Sequence, residues 1–260
     1  MRILFIADAF AAAGRRIIEE RLPGIRRDRE VDFVIANAEN VADGVGITSR
    51  IARKLFEARV DVITLGNHAY RQREVYPYLD QEQRILRPAN YPEAAPGHGT
   101  CVAEAADGTR VAVINLIGSL FLDAAVTPFA VAERLVDDAK AKAAIVVVDF
   151  HAEATSEKVA MGRLLAGKAT AVLGTHTHIQ TNDASILPGG TAYITDAGMT
   201  GPHDSVIGVR TDLVLRRFTT QLPIRFEPAE GDVRIEGAIF ECDAEGRATA
   251  MESFRLLDDR

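Results

Sequence analysis

Residues 169–178 read Ala-Thr-Ala-Val-Leu-Gly-Thr-His-Thr-His, a short apolar run that ends in a glycine and two closely spaced histidines. Short apolar runs of this kind are typical of buried strands. Side chains two residues apart on extended backbone point to the same side, so His176 and His178 can each bind one of two adjacent ions. The segment therefore predicts a strand whose end contributes to a two-metal centre.

Other potential metal ligands follow other short apolar runs. They stand at or just beyond the ends of those runs: Asp8, Glu39-Asn40, Gly66-Asn67-His68 and His151. A sheet gathers distant residues at its strand ends, and a glycine lets the backbone approach an ion closely. A single histidine is most often an ordinary hydrogen-bonded residue. Four of them at strand ends, with matching acidic and amide donors, favour a metal site.

The apolar runs also predict the fold class. They occupy residues 3–7, 31–36, 60–65, 111–116, 145–150, 169–173 and 191–195. Because these runs are continuous and not alternating, they indicate strands buried on both faces, as in a sheet layered between other elements. Amphipathic helices are predicted at 48–59, 128–142 and 155–166. Alternating strands and helices indicate an α/β fold.

Two antiparallel hairpins are predicted in addition. One joins residues 233–241 to 249–256 through the turn Asp243-Ala244-Glu245-Gly246, and the other turns at Asp107-Gly108 between 101–105 and 110–116. The sequence shows no internal repeat, low-complexity tract or break in composition. We therefore expect residues 1–260 to form a single domain.

Composition limits the classes of function. The chain has 260 residues, of which 47% are hydrophobic and 26% charged, and no apolar run approaches the ~20 residues that span a bilayer. The first apolar run ends at Asp8 and lacks the features of a signal peptide. Cys101 and Cys242 are the only cysteines and stand far apart, as expected in a reducing compartment. A cytoplasmic protein without membrane contact is expected.

The net charge bears on the partners. A net charge of -7 and a pI near 5.4 provide no general attraction for long anionic polymers, which argues against extended nucleic-acid binding. A small nucleotide remains compatible with this charge because bound metal ions supply positive charge locally. The sequence is also compatible with a homo-oligomer.

The order of these motifs resembles a known family. Asp, Glu-Asn, Gly-Asn-His, His and Gly-x-His-x-His follow one another as in the calcineurin-like metallophosphoesterases. Longer stretches resemble the bacterial YmdB-like branch, which is associated with hydrolysis of 2′,3′-cyclic nucleotides: Val-Ile-Ala-Asn-Ala-Glu-Asn at 34–40, Arg-Pro-Ala-Asn-Tyr-Pro at 87–92, Asp-Phe-His-Ala-Glu-Ala-Thr-Ser-Glu-Lys at 149–158 and Met-Thr-Gly-Pro at 199–202. The resemblance runs from residue 1 to about residue 240.

The resemblance implies a layered β-sandwich flanked by α-helices with a dinuclear metal site at the strand ends. It implies two transition-metal ions, iron in the first place with manganese or zinc as alternatives. The implied ligands of the first metal are Asp8, Glu39, Asn40 and His178. Those of the second metal are Glu39 as the bridging residue, Asn67, His151 and His176.

The resemblance also implies the reaction. A hydroxide shared by the two metals would attack phosphorus, and His68 would protonate the leaving oxygen. A 2′,3′-cyclic nucleotide would thus give a 3′-nucleotide. Two alternatives stay open: another metallophosphoesterase activity, on a phosphomonoester or a different diester, and a non-catalytic regulatory protein that binds metal.

Some residues depart from the family pattern. Ala9-Phe10 follows Asp8 where the superfamily has Asp-x-His, which makes Asn40 the substitute for the missing imidazole. Residues 11–13, all alanine, replace a glycine-containing loop. Arg71 and His203 differ from the related sequences as well, and we interpret both as solvent-exposed, with an effect on substrate preference as the alternative. Glu153, beyond His151, is either a group that orients His151 or part of a helix start.

Overall fold

A computed structural model describes residues 1–258. The strands in this part of the chain are β1 (Arg2–Ile6), β2 (Phe33–Asn37), β3 (Val62–Thr64), β4 (Ile85–Leu86), β5 (Thr100–Glu104), β6 (Arg110–Ile117), β7 (Ile145–His151), β8 (Ala171–Thr175), β9 (Ser185–Leu187), β10 (Thr191–Ile194), β11 (Gly201–Pro202), β12 (Val233–Cys242) and β13 (Ala248–Leu257). The α-helices are α1 (Ala11–Asp28), α2 (Ser49–Glu57), α3 (Tyr76–Gln81), α4 (Ala132–Lys140), α5 (Thr155–Leu165) and α6 (Thr211–Thr220). Short 3₁₀ helices cover Arg73–Val75 and Pro128–Ala130.

The strands form two sheets that pack face to face. The first has the order β11-β12-β1-β2-β3-β4, with β13 also paired to β12, and the second has the order β5-β6-β7-β8-β10-β9. Strands β1 to β4 are mutually parallel, and so are β6, β7, β8 and β10. Helices α1 and α2 cover the outer face of the first sheet, and α4 and α5 cover that of the second. The result is the predicted layered sandwich flanked by helices.

Side chains alternate between the two faces of each strand, as the pleat requires. On β1, Phe5 enters the core between the sheets, whereas Leu4 packs towards α1 and α2. On β7, Val147 enters the same inner core and Val148 packs towards α4 and α5. Both faces are therefore apolar, which explains the continuous apolar runs.

Among residues 1–258, none of the helices combines the length and the apolar character that a membrane-spanning helix needs.

The structure confirms the seven predicted strands, with ends that move by no more than two residues. It confirms both hairpins as the antiparallel pairs β12–β13 and β5–β6. At α2 the Thr48 side chain accepts a hydrogen bond from the Ile51 amide, as a capping residue does. The helix predicted at 128–142 differs, because a 3₁₀ turn begins it and α4 starts only at Ala132.

Helices α1, α3 and α6 were not predicted from the sequence. Within α1, Gly14, Pro23 and Gly24 lower the helix propensity. Along α6, Leu215 and Phe218 are exposed, so the hydrophobic pattern of a helix packed on the core is missing. Tertiary packing stabilises α1 in spite of its low helix propensity, because Ile17, Ile18 and Leu22 are buried in the core against the first sheet.

The start of α1 is pressed against the segment before β11. The Phe10 amide donates to the carbonyl of Thr200 at 2.8 Å, and the run of alanines at 11–13 forms the first turn of the helix. A Cβ atom on Gly14 would lie 2.2 Å from the Thr200 oxygen. The close approach of these two backbones therefore requires glycine at position 14.

Substitution of the two glycines of α1 should have opposite effects on stability. Gly14→Ala should lower the free energy of unfolding by about 1–3 kcal/mol, because the new methyl group collides with backbone. Gly24→Ala should raise it by about 0.5–1 kcal/mol, because the nearest atom, Arg27 Nη2, is 3.9 Å away and alanine favours helix. Urea unfolding of both variants measures the difference. Equal effects would contradict the proposed close approach.

Candidate metal centre

The predicted site residues converge where parallel strands of both sheets end. They lie at the carboxyl ends of β1, β2, β3, β7 and β8: Asp8, Glu39, Asn40, Asn67, His68, His151, His176 and His178. Parallel strands bring their carboxyl ends to one edge of a sheet, and the packing of two sheets brings two such edges together. The eight side chains form one connected set of contacts.

A buried carboxylate joins the two sheets beneath this set. Asp149 Oδ2 accepts hydrogen bonds from Asn37 Nδ2 at 3.0 Å and from Thr64 Oγ1 at 2.5 Å, both on the first sheet. Its Oδ1 accepts from Thr175 Oγ1 at 2.7 Å on the second sheet. Asn37 Oδ1 in turn accepts from the amide of Glu39. The network thus fixes the ends of four strands relative to one another.

One group of potential ligands surrounds His151. Its Nε2 lies 3.3 Å from Glu39 Oε1 and 3.0 Å from both Asn67 Oδ1 and His176 Nδ1. Glu39, His151 and His176 present donor atoms that all lie within 4.8 Å of one another. A Cβ on Gly66 would come within 2.4 Å of Glu39 Oε2 and His151 Nε2. Glycine is therefore the residue that lets this turn pack against the group.

A second group surrounds Asp8. This carboxylate is fully buried, and its Oδ2 accepts from the backbone amide of His176 at 2.8 Å. Its Oδ1 has no hydrogen-bond partner among the described residues. His178 Nε2 lies 3.9 Å from that oxygen and 3.3 Å from Asn40 Nδ2. A buried carboxylate oxygen without a donor is costly unless a cation compensates for it.

Asn40 links this group to His68. As oriented here, its amide nitrogen faces Glu39 Oε1 and His178, while its Oδ1 lies 2.7 Å from His68 Nδ1. A half-turn of the amide would direct Oδ1 towards His178 Nε2 instead. In both orientations Asn40 occupies Nδ1 of His68, which leaves Nε2 of this partly exposed ring available to a substrate.

The His176–His178 turn differs from the sequence-based prediction. The two histidines have φ of 102° and 65°, so the backbone is not extended and the assumption behind their shared direction was wrong. The turn is held instead by Asp196, whose Oδ2 accepts from the amide and hydroxyl of Thr177 and from Lys158 Nζ at 2.6 Å. Both partners of that ion pair are buried. Such strained backbone persists only where the surroundings enforce it.

Each of the three candidate ligand histidines is oriented by a separate group. Thr175 Oγ1 lies 2.9 Å from His151 Nδ1, and the Ile207 carbonyl accepts from His178 Nδ1 at 3.0 Å. Glu153 Oε2 lies 3.0 Å from His176 Nε2. Glu153 therefore contacts His176 and not His151, for which it was considered from the sequence. The roles of Thr175 and Ile207 were not predicted, although Thr175 stands in the histidine motif itself.

Charge and burial shift the pKa values in this set. Burial raises the pKa of Asp8 to about 6. Burial also acts against ionisation of Glu39, but His151 and His68 hold its pKa well below the usual range. Burial would lower the pKa of His151, yet the charge and hydrogen bond of Glu39 raise it to about 9. The positive charge of protonated His151 thus compensates for the negative charge of Glu39. Burial and the positive charge of His151 lower the pKa of His176 to about 3.

The residues fit a pair of transition-metal ions. Carboxylate and amide oxygens mixed with imidazole nitrogens suit iron, manganese or zinc, and the partnerless Asp8 oxygen indicates a cation beside it. Glu39 Oε1 lies 3.2 Å from Asn40 Nδ2 and 3.3 Å from His151 Nε2, between the two groups. Asp8, Asn40 and His178 could hold one ion and Asn67, His151 and His176 the other.

Two further departures from the family pattern have different surroundings. Arg71 is exposed, as predicted. His203 is not, because its ring is half-buried and lies 3.1 Å from the carbonyl of Met199, which corrects the prediction of a solvent-exposed residue.

The chain is similar to proteins of one bacterial family. The family model for YmdB-like proteins matches residues 4–254. A 2′,3′-cyclic-nucleotide 2′-phosphodiesterase from Bacillus subtilis (strain 168) is 43% identical over 260 residues, which cover 100% of this chain and 98% of that protein.

Solved structures show the same fold over 99% of the chain. A hypothetical protein from Thermus thermophilus superposes with a TM-score of 0.93 at 43% identity, covering 99% of this chain and 100% of that chain. A structure described as a novel phosphatase from Mycoplasma pneumoniae superposes with a TM-score of 0.91 at 33% identity, covering 99% of this chain and 93% of that chain.

Metal binding should release a proton from His151. Below its pKa of about 9 the ring is protonated, and a metal must displace that proton. We expect affinity to rise with pH up to about 9 and about one proton per chain to be released on loading near pH 7. Calorimetry in two buffers of different ionisation enthalpy measures the number released. Metal loading near pH 7 without proton release would contradict this assignment.

Proposed function

The chain belongs to the YmdB-like family, and from this membership we propose that it is a dinuclear-metal phosphodiesterase that hydrolyses 2′,3′-cyclic nucleotides to 3′-nucleotides. The observation that carries the proposal is the meeting of Glu39, His151 and His176 beside a buried Asp8 oxygen that has no donor among the described residues. The activity for which the Bacillus subtilis relative is named supports the substrate class. We further propose that residues 1–260 act as one catalytic domain.

The proposed ligands divide into two sets that share Glu39. Asp8, Asn40 and His178 complete the first set, and Asn67, His151 and His176 complete the second. A carboxylate is the side chain best suited to lie between two cations about 3.5–4 Å apart. When bound, the two ions would supply Lewis acidity that activates water and neutralises phosphate oxygens.

His68 is proposed as the proton donor. It belongs to neither ligand set, and its Nδ1 is occupied by Asn40 Oδ1 at 2.7 Å and faces Glu39 Oε1 at 3.4 Å. These contacts hold the ring and direct Nε2 outwards. With a 2′,3′-cyclic nucleotide, Nε2 would give its proton to the ribose 2′-oxygen as the bond from phosphorus to that oxygen breaks, and the phosphate would stay on the 3′-oxygen.

A substrate panel tests the function. The metal-reconstituted protein should hydrolyse 2′,3′-cyclic AMP faster than a linear diester or a phosphomonoester, and chromatography should show 3′-AMP as the product. Predominant 2′-AMP would reject the regiochemistry. Turnover of phosphomonoesters alone would favour the second candidate, a phosphatase, which the name of the Mycoplasma pneumoniae structure supports.

Substitution of His68 should affect the chemical step and not metal binding. His68→Ala should retain the wild-type number of ions by elemental analysis and lose about 10²–10⁴ in kcat on 2′,3′-cyclic AMP. A p-nitrophenyl phosphodiester, whose leaving oxygen needs no proton, should lose far less. His98→Ala, at a histidine whose ring lies by the Asp80 carbonyl, is the matched control and should keep full activity. Loss of a metal in His68→Ala would instead make His68 a ligand.

A further inference from the structure

An apolar pocket opens directly beside the candidate metal ligands. It has a volume of about 320 Å³ and includes Glu39, His68 and His176 at its polar end. The remainder is lined mainly by side chains without polar atoms: Phe10, Val45, Ile207, Val209, Phe226 and Pro228. A substrate held at the polar end by its phosphate would therefore place its next group against an apolar wall.

Several of these apolar side chains are unusually exposed. Val45, Ile207 and Phe226 retain 40%, 49% and 47% of their accessible surface. They come from different parts of the chain, before α2 and around α6, yet all face one pocket. Exposed apolar groups that converge on a concave surface mark a binding site for an apolar or aromatic group.

The floor of the pocket is rigid. Phe10 is buried and meets His178 edge-on, with ring centroids 5.7 Å apart. Added Cβ atoms at Gly44 and Gly208 would lie 3.0 Å and 2.7 Å from its ring. The backbone at both glycines therefore packs closely against the Phe10 ring and restricts its movement. The Ile207 carbonyl that orients His178 belongs to the residue whose side chain lines the pocket. The pocket and the metal ligands therefore hold a fixed spacing.

The charges around the pocket exclude a second phosphate group. Asp43 and Glu227 line it, and no lysine or arginine does so within residues 1–258. Glu227 is paired with Arg210 at 2.8 Å, outside the pocket lining. The lining therefore suits a neutral ring, and a phosphate-bearing group placed there would meet the Asp43 carboxylate with no lysine or arginine of the lining to offset the repulsion.

We propose that the apolar pocket binds the nucleobase of the substrate and that Phe226 stacks on the base, which favours substrates that carry a base over those that lack one. The inference rests on the proposed function, since it assigns the polar end to the cyclic phosphate. A neutral aromatic ring fits the apolar wall, and stacking on an aromatic side chain tolerates different bases because every base has a π-face.

The test compares a substrate that has a base with one that lacks it. Phe226→Ala should raise KM for 2′,3′-cyclic AMP about 5- to 100-fold with little change in kcat, the range expected for loss of one stacked base. For ribose 2′,3′-cyclic phosphate, which has no base, KM should not change. Phe226→Trp should restore low KM. Phe218→Ala, at a more exposed phenylalanine on α6 outside the pocket, is the matched control.

The outcomes separate this inference from the proposed function. Equal KM changes on both substrates, or no change on 2′,3′-cyclic AMP, would overturn the base pocket while turnover by the wild type upheld the function. If the wild type hydrolysed no cyclic nucleotide, the function would fail, and calorimetric binding of adenosine would still test the pocket. Weaker adenosine binding by Phe226→Ala than by Phe218→Ala would support it, and equal binding would overturn it.

Discussion

The buried carboxylate of Asp149 is the interaction on which the candidate site depends. Its two oxygens accept hydrogen bonds from Asn37, Thr64 and Thr175, which are the last inward-facing residues of β2, β3 and β8. A buried charge is tolerated only when its hydrogen-bonding capacity is satisfied. The network therefore fixes the position of one sheet relative to the other at the edge where the candidate ligands lie.

The ligand groups then depend on short segments that the network and its neighbours hold in place. Asn37 supports the amide of Glu39, and Thr175 contacts the ring of His151. The Thr177 turn has left-handed backbone at both flanking histidines and is held by the buried Asp196–Lys158 pair. Backbone strain and buried charge are both unfavourable alone, and their concentration around one cleft is typical of functional sites.

The same segments that orient the ligands also shape the apolar pocket. Ile207 receives the hydrogen bond of His178 through its backbone and lines the pocket through its side chain. Phe10 follows the strand that leads to Asp8 and packs edge-on against His178. The residue two positions after Asp8 thus forms the pocket floor with an aromatic side chain.

The sequence by itself determined seven strands, both hairpins and the residue types at the strand ends, because periodicity and turn chemistry are local properties. It did not predict the short strands β4, β9 and β11. It predicted Asp8, Glu39, Asn40, Asn67, His68, His151, His176 and His178 as one site, and the fold brings them together. The tertiary structure alone decided that α1 is helical, that Glu153 contacts His176 and that His203 is half-buried. It also decided that Asp149 joins the two sheets and that Phe226 lines the pocket beside the candidate ligands. These features arise from contacts between residues far apart in the chain, whose distances and orientations exist only once both sheets have packed.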